Sequence, residues 1–204
     1  MANVLVQLAD KLGFLEAIKD KLFQNPKTDY SELVRALHSF ASSFLDVDGL
    51  LSGLLSLSFV SDTPQSVETA RKLLIQAEGG VPMIRAQDVR SQCVRLRILY
   101  DRHLSPSLQY VLSPAEWSEV QVAFKILEDF HENALPELQS LMKWLSTTAS
   151  KVLEKVDQAD LKGADDLLKQ ARIDILPQRQ AISKAVSAIL ALVSAYRQAL
   201  PELP

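Results

Sequence analysis

Apolar residues recur three and four places apart along nearly the whole chain, a period that admits little besides α-helices packed on one another. Val4, Leu8, Leu12, Leu15, Ile18 and Leu22 share one side of a helical wheel, with Asp10, Asp20 and Lys21 opposite. After Asn25-Pro26 the pattern resumes through Leu33, Leu37, Phe40 and Phe44. Helix starts are marked as clearly as helix faces. Asp29 stands three residues before Glu32, and Thr63 precedes Pro64. Ser113-Pro114-Ala115-Glu116 joins a capping serine, a first-turn proline and a glutamate able to reach back to the exposed amides. No alternating run demands a strand.

These signals predict an all-α multi-helix bundle of roughly eight helices, largely antiparallel, with short loops and no significant β-sheet. Asp46-Val47-Asp48-Gly49 reads as a break, with Leu50–Val60 a separate short helix or strand. A helix from Pro64 to about Glu78 leads to Gly79-Gly80-Val81-Pro82, the clearest loop. Further helices are expected over Arg85–Leu104, from Ser113 to about Ala134, from Pro136 through Leu153, over Asp160–Ile175 and over Gln178–Ala199. Residues 1–204 read as one domain, with an N-terminal lobe (1–78) and a C-terminal lobe (84–200). The closing Ala199-Leu200-Pro201-Glu202-Leu203-Pro204 fits the edge of one domain in a longer protein.

Composition narrows the class. A chain that is 48% hydrophobic and 23% charged is too apolar to stay disordered, and 6 Gly and 9 Pro are too few for collagen or low complexity. The two most apolar stretches are poor membrane spans: Leu50–Val60 is short, and Ala181–Tyr196 contains Lys184. Met1–Leu8 lacks a basic leader, and the single cysteine, Cys93, permits no internal disulfide. A soluble cytoplasmic protein is expected.

Signatures of chemistry are missing. The sequence contains no Gly-x-Gly-x-x-Gly, no Gly-x-x-x-x-Gly-Lys-Ser/Thr, no His-Glu-x-x-His, no Cys-x-x-Cys and no Gly-x-Ser-x-Gly. Glu128-Asp129-Phe130-His131 holds a Glu-x-x-His, but a di-iron bundle needs a second such pair. Asp46-Val47-Asp48-Gly49 lacks the later ligands of a calcium loop. Cys93, set in an apolar arc, reads as a buried structural thiol. Catalytic residues, metal ligands and cofactors are accordingly not expected, nor is an enzyme.

Charge is unevenly distributed. The formal net charge of −3 hides a basic middle, residues 63–112, between two acidic flanks. Arg85, Arg90, Arg95, Arg97 and Arg102 lie on one expected helix. Its wheel has a broad apolar arc (Val89, Cys93, Leu96, Leu99, Tyr100) and a narrower one nearly opposite (Val94, Ile98). Arg90 and Arg97 border the arcs on one side, Arg95 and Arg102 on the other. A helix apolar on two faces is expected to be sandwiched, its arginines paired with Glu116, Glu119, Glu128, Asp129 and Glu132 of the next helix. The alternative is an anionic-partner patch at Arg90, Arg95, Arg97 and Arg102. Nucleic acid fits that patch poorly, because the pI is about 5.7 and Tyr100 alone could stack on a base.

Two surfaces suggest association. Ser183, Ser187, Ala191 and Ala195 recur every four residues and form a small-residue ridge on which another helix could sit, gripped by Ile182, Val186, Ile189, Leu190 and Val193. Gly49-x-x-x-Gly53 follows the same logic. The N-terminal helix is amphipathic, and Met1-Ala2-Asn3-Val4 followed by Lys11-Leu12-Gly13 resembles the first helix of the coiled-coil domains of plant immune receptors. That resemblance stops at this helix and sits one residue out of register, so no family is assigned from it. It implies a helix able to enter a bilayer. The sequence therefore reads as a non-catalytic protein-interaction or self-association module, in signalling or defence, with a membrane-perturbing bundle of the cell-death or toxin type as the alternative.

Overall fold

The computed structural model describes residues 31–59, 64–104, 109–129 and 135–199, together with Asp10, Gly13, Ala17 and Lys21. Among these residues the chain forms six α-helices and one π-helical turn, with no strand. The helices are α1 (Ser31–Leu55), α2 (Pro64–Glu78), α3 (Val81–Leu99, continued by the π turn Tyr100–Leu104), α4 (Pro114–Asp129), α5 (Leu135–Asp157) and α6 (Leu161–Ala199). α3 packs against α1, α2, α4 and α5, and both α1 and α5 pack against α6. Buried side chains from all six helices merge into one cluster. Phe40 and Phe44 of α1 sit within it, edge to face at 5.0 Å.

The helix count differs from the expected eight for identifiable reasons. Most of the expected first helix lies outside the described residues, although Asp10, Gly13, Ala17 and Lys21 are helical. Asp46–Gly49 is no break, since α1 runs through it to Leu55. Val47, Leu51 and Leu54 continue the buried stripe of Phe40 and Phe44, and their burial outweighs the roughly 1 kcal/mol that a mid-helix glycine costs. Leu50–Leu55 thus ends α1, and Leu57–Phe59 leaves it without a strand.

The two helices expected around Pro177 are a single helix, α6, with Pro177 inside it. The proline removes the amide that would bond to the Ile173 carbonyl, but it does so on the outer side of α6, where Ile173 is 68% exposed. With its amide nitrogen turned inward, the Gln178 side chain would reach the carbonyls of Asp174 (3.1 Å) and Ile175 (3.2 Å) on the preceding turn. The expected Gly79–Pro82 loop shrinks to Gly79-Gly80, because Pro82 occupies the first turn of α3.

Helix ends follow local chemistry closely. At the start of α4, the Ser113 amide and hydroxyl both donate to Glu116 Oε2, at 3.0 and 2.8 Å. Lys21 donates to Glu116 Oε1 at 2.6 Å. Lys21 first, then the Ser113 amide and hydroxyl, hold the Glu116 carboxyl down to about 2 from its ordinary 4.5. A depressed carboxyl stabilises the fold fully above its unfolded value and loses that contribution as pH falls through the folded one. Stability should therefore decline between pH 4.5 and about 2, and Glu116→Gln should flatten that part of a urea-midpoint profile.

The α5–α6 junction is a Schellman turn with an unusual occupant. The Asp160 amide donates to Lys155 O (2.9 Å) and the Ala159 amide to Val156 O (3.0 Å). Ala159 holds φ at 60°, the left-handed region that favours glycine. Asp160 then opens α6 by accepting from the Gly163 amide at 2.9 Å, while Lys155 donates to its other oxygen at 2.9 Å. A Cβ on Gly163 would run into that carboxylate, so a larger residue there would require the Asp160 cap to shift. Ala159→Gly should raise stability by about 1 kcal/mol, read as a higher urea midpoint at unchanged slope.

Candidate interaction surface

α3 carries two apolar rows. Pro82, Ala86, Val89, Cys93, Leu96 and Leu99 point inward and are buried, as the three- and four-residue steps between them require. Tyr100 completes that side and stacks on Phe124 of α4 with ring centroids 3.7 Å apart. Burial also pushes the Cys93 thiol well above its ordinary range, which keeps it protonated. The broad apolar arc thus forms core.

The narrower arc does not. Ile98 is 53% exposed, Val94 38% and Ile84, one row further back, 57%. α3 is therefore not sandwiched as its two apolar arcs predict. α1, α2, α4 and α5 gather on the inward side of α3, and Val94 and Ile98 remain at the surface. Gln87 and Ser91 continue the same exposed row. A shallow depression of about 420 Å³ is lined by Gln87, Arg90, Ser91 and Val94.

The arginines flank this row. Arg90, Arg95 and Arg102 are exposed and Arg97 is half-buried. Arg97 pairs with Asp101 at 3.2 Å, and its guanidinium lies 5.7 Å from the Tyr100 ring centre. Arg85 pairs with Asp46 of α1 (3.1 Å) and Asp88 (3.5 Å). The expected pairing with α4 fares differently at Glu116, which turns to Lys21 and its own helix start. Glu132 and the side chains of Glu128 and Asp129 lie outside the described residues, as does the Glu-x-x-His histidine, His131. The ion pairs seen on α3 are surface pairs, of the kind worth about 0–1 kcal/mol each.

The small-residue ridge of α6 is also superficial. Ser183 and Ser187 are exposed, and Ala191 and Ala195 half-buried. Ile182, Val186, Ile189 and Val193 are buried beneath it, whereas Leu190 is exposed. Lys184, beside the ridge, pairs with Asp10. At Gly49 and Gly53 an added Cβ would meet nothing within 4 Å, so neither glycine marks a close helix approach.

Sequence reasoning missed another row. Asp165, Arg172 and Arg179 are spaced by seven on α6 and bind successive points of α1 and the segment that follows it. Asp165 Oδ1 accepts from the Phe59 amide at 2.8 Å. Arg172 donates to the carbonyls of Leu55 and Leu57, each at 2.7 Å. Arg179 grips Asp48 through Nε (2.8 Å) and Nη2 (3.1 Å) and also donates to Ser52 Oγ at 2.7 Å. The available signal was charge recurring every seventh residue among the apolar Leu168 and Ile175. Arg172 satisfies carbonyls at the end of α1 that the helix itself leaves open. These contacts are architectural.

Among the described residues no group of three histidine, cysteine, aspartate or glutamate side chains could hold a metal ion. No described helix is long and apolar enough to cross a membrane. No protein-family model, no curated protein and no solved structure matches this chain.

Proposed function

We propose that this chain is a non-catalytic helical module that binds another protein through the outer face of α3. The carrying observation is the alignment of Ile84, Val94 and Ile98 at the surface of a helix whose opposite face is core. Exposed apolar side chains scattered singly mean little, whereas a row of them on one rigid element supports a binding role. The four flanking arginines add charge selectivity at its rim. The buried row beneath keeps the face in one conformation, so a partner would not have to order it.

The test is a pair of surface substitutions. A photo-crosslinking residue at Ser91 should capture a partner, which is then identified and purified. That protein should bind the intact chain in calorimetric titration, and Val94→Asp with Ile98→Asp should weaken binding by about a hundredfold or more, since two charges would replace apolar contacts. Both positions are exposed, so the melting temperature should stay within a few degrees. Unchanged affinity in the doubly substituted chain would refute the reading.

A further inference from the structure

Resting on that reading, we propose that the occupant of the α3 face is an acidic amphipathic helix, paired along α3 in coiled-coil register. Ile84, Gln87, Ser91, Val94 and Ile98 follow one another in alternating three- and four-residue steps, and Asp101 continues the spacing on the π turn, where the register widens. That is the spacing of the first and fourth positions of a heptad, the seam along which two helices interlock. Each of these residues except Gln87, Ser91 and Asp101 is apolar, and Ile84, Val94 and Ile98 are all exposed.

The edges of the seam select the partner. One edge holds Met83, Arg90 and Arg97, and the other Asp88, Arg95 and Arg102. In a coiled coil these edge positions meet the charges of the facing helix. The two acidic residues of the face are each engaged by an arginine of α3 itself, Asp88 by Arg85 and Asp101 by Arg97. A second copy is a poorer occupant in either orientation. Parallel pairing would set Arg90 against Arg95 and Arg97 against Arg102. Antiparallel pairing would set Arg90 and Arg97 against arginine on one edge, and on the other would bring Asp88, already engaged by Arg85, against an arginine of the second copy. Like charges at these positions repel, whereas glutamates on a partner's edges meet arginine on both sides. The polar Gln87, Ser91 and Asp101 in the seam keep the contact weaker than that of a permanent coiled coil.

Two synthetic peptides of four heptads test this, each with leucine or isoleucine along its seam. One carries glutamate on both edges and the other lysine. Edge repulsion keeps each peptide largely unfolded alone, so helix formation on mixing, read by circular dichroism, reports docking. The glutamate peptide should bind the intact chain at least about tenfold more tightly than the lysine peptide, with the difference shrinking in high salt. Arg90→Glu, Arg95→Glu and Arg102→Glu together should invert the preference, and the corresponding glutamine variant should erase it. Equal binding of the two peptides, or a preference indifferent to the reversal, would overturn the acidic-helix assignment. So would sedimentation showing that the wild-type chain dimerises through this face. The outcomes also separate this inference from the reading beneath it. A captured partner that is lost with Val94→Asp and Ile98→Asp but unaffected by arginine reversal leaves the α3 surface standing and removes the acidic helix. A partner that survives the Val94 and Ile98 changes removes both.

Discussion

Replacing Phe40 by alanine is expected to lower the unfolding free energy by about 4 kcal/mol. Phe40 has no exposed surface, and its ring meets Phe44 edge to face at 67° and 5.0 Å. Truncation loses the transfer energy of the ring and leaves a cavity that surrounding helices close only in part. α1 packs against both α3 and α6, so collapse around that cavity would have to move two helices at once. Leu45, four residues before Gly49 on the same helix, is 52% exposed, and Leu45→Ala should change stability by less than about 0.5 kcal/mol. Urea unfolding of the two variants provides the comparison. A Phe40→Ala cost below about 1 kcal/mol would mean that α1 is not the packed centre described here. Against the usual 5–15 kcal/mol of a folded domain, the expected loss is a large share of the whole.

Arg172→Ala should cost about 3 kcal/mol, nearly as much as a core truncation, although it removes a charged and half-buried residue. The guanidinium bonds two carbonyls, Leu55 O at the end of α1 and Leu57 O beyond it, each at 2.7 Å. Hydrogen bonds from a charged donor contribute more than neutral ones, and their loss strands two backbone acceptors at a helix end. Arg172→Lys should recover only part of the loss, because an ammonium lacks the planar fork that spans both carbonyls. Arg95→Ala, on the exposed face of α3, should be silent in the same urea assay, within about 0.5 kcal/mol. If Arg95→Ala destabilised the fold as Arg172→Ala does, the α3 arginines would be structural and the proposed binding surface would lose its rim.

That contrast shows where sequence reading reached and where it stopped. The arginine-rich helix attracted attention because its charges are dense and consecutive. Arg172 and Arg179 did not, because they stand seven apart among apolar residues, and their partners at Leu55, Leu57 and Asp48 are more than a hundred residues away in the chain. Nothing within a helical turn of Arg172 announces a carbonyl at Leu55. Gly49 and Pro177 misled in the opposite direction. Both are local breakers, and local propensity ends a helix at each unless something distant pays to continue it. At Gly49 the burial of Val47 and Leu51 does so, and Arg179 holds the neighbouring Asp48. At Pro177 the loss is one hydrogen bond on the exposed side of α6, while Ile175 and Ala181 stay buried on either side.

What the sequence determined by itself is the all-helical class, the capping box of α4, the start of α2 at Pro64 and the identity of the broad buried arc of α3. Each depends on residues within about four positions of one another, the range over which helical geometry repeats and backbone amides find side-chain caps. Only the tertiary structure decided that Val94 and Ile98 would face outward, that α6 would run unbroken through Pro177, and that three charges on α6 would bind the end of α1. Those outcomes depend on which helices arrive from elsewhere in the chain and from which side. Periodicity shows that a face is apolar; its covering depends on packing partners that periodicity does not name.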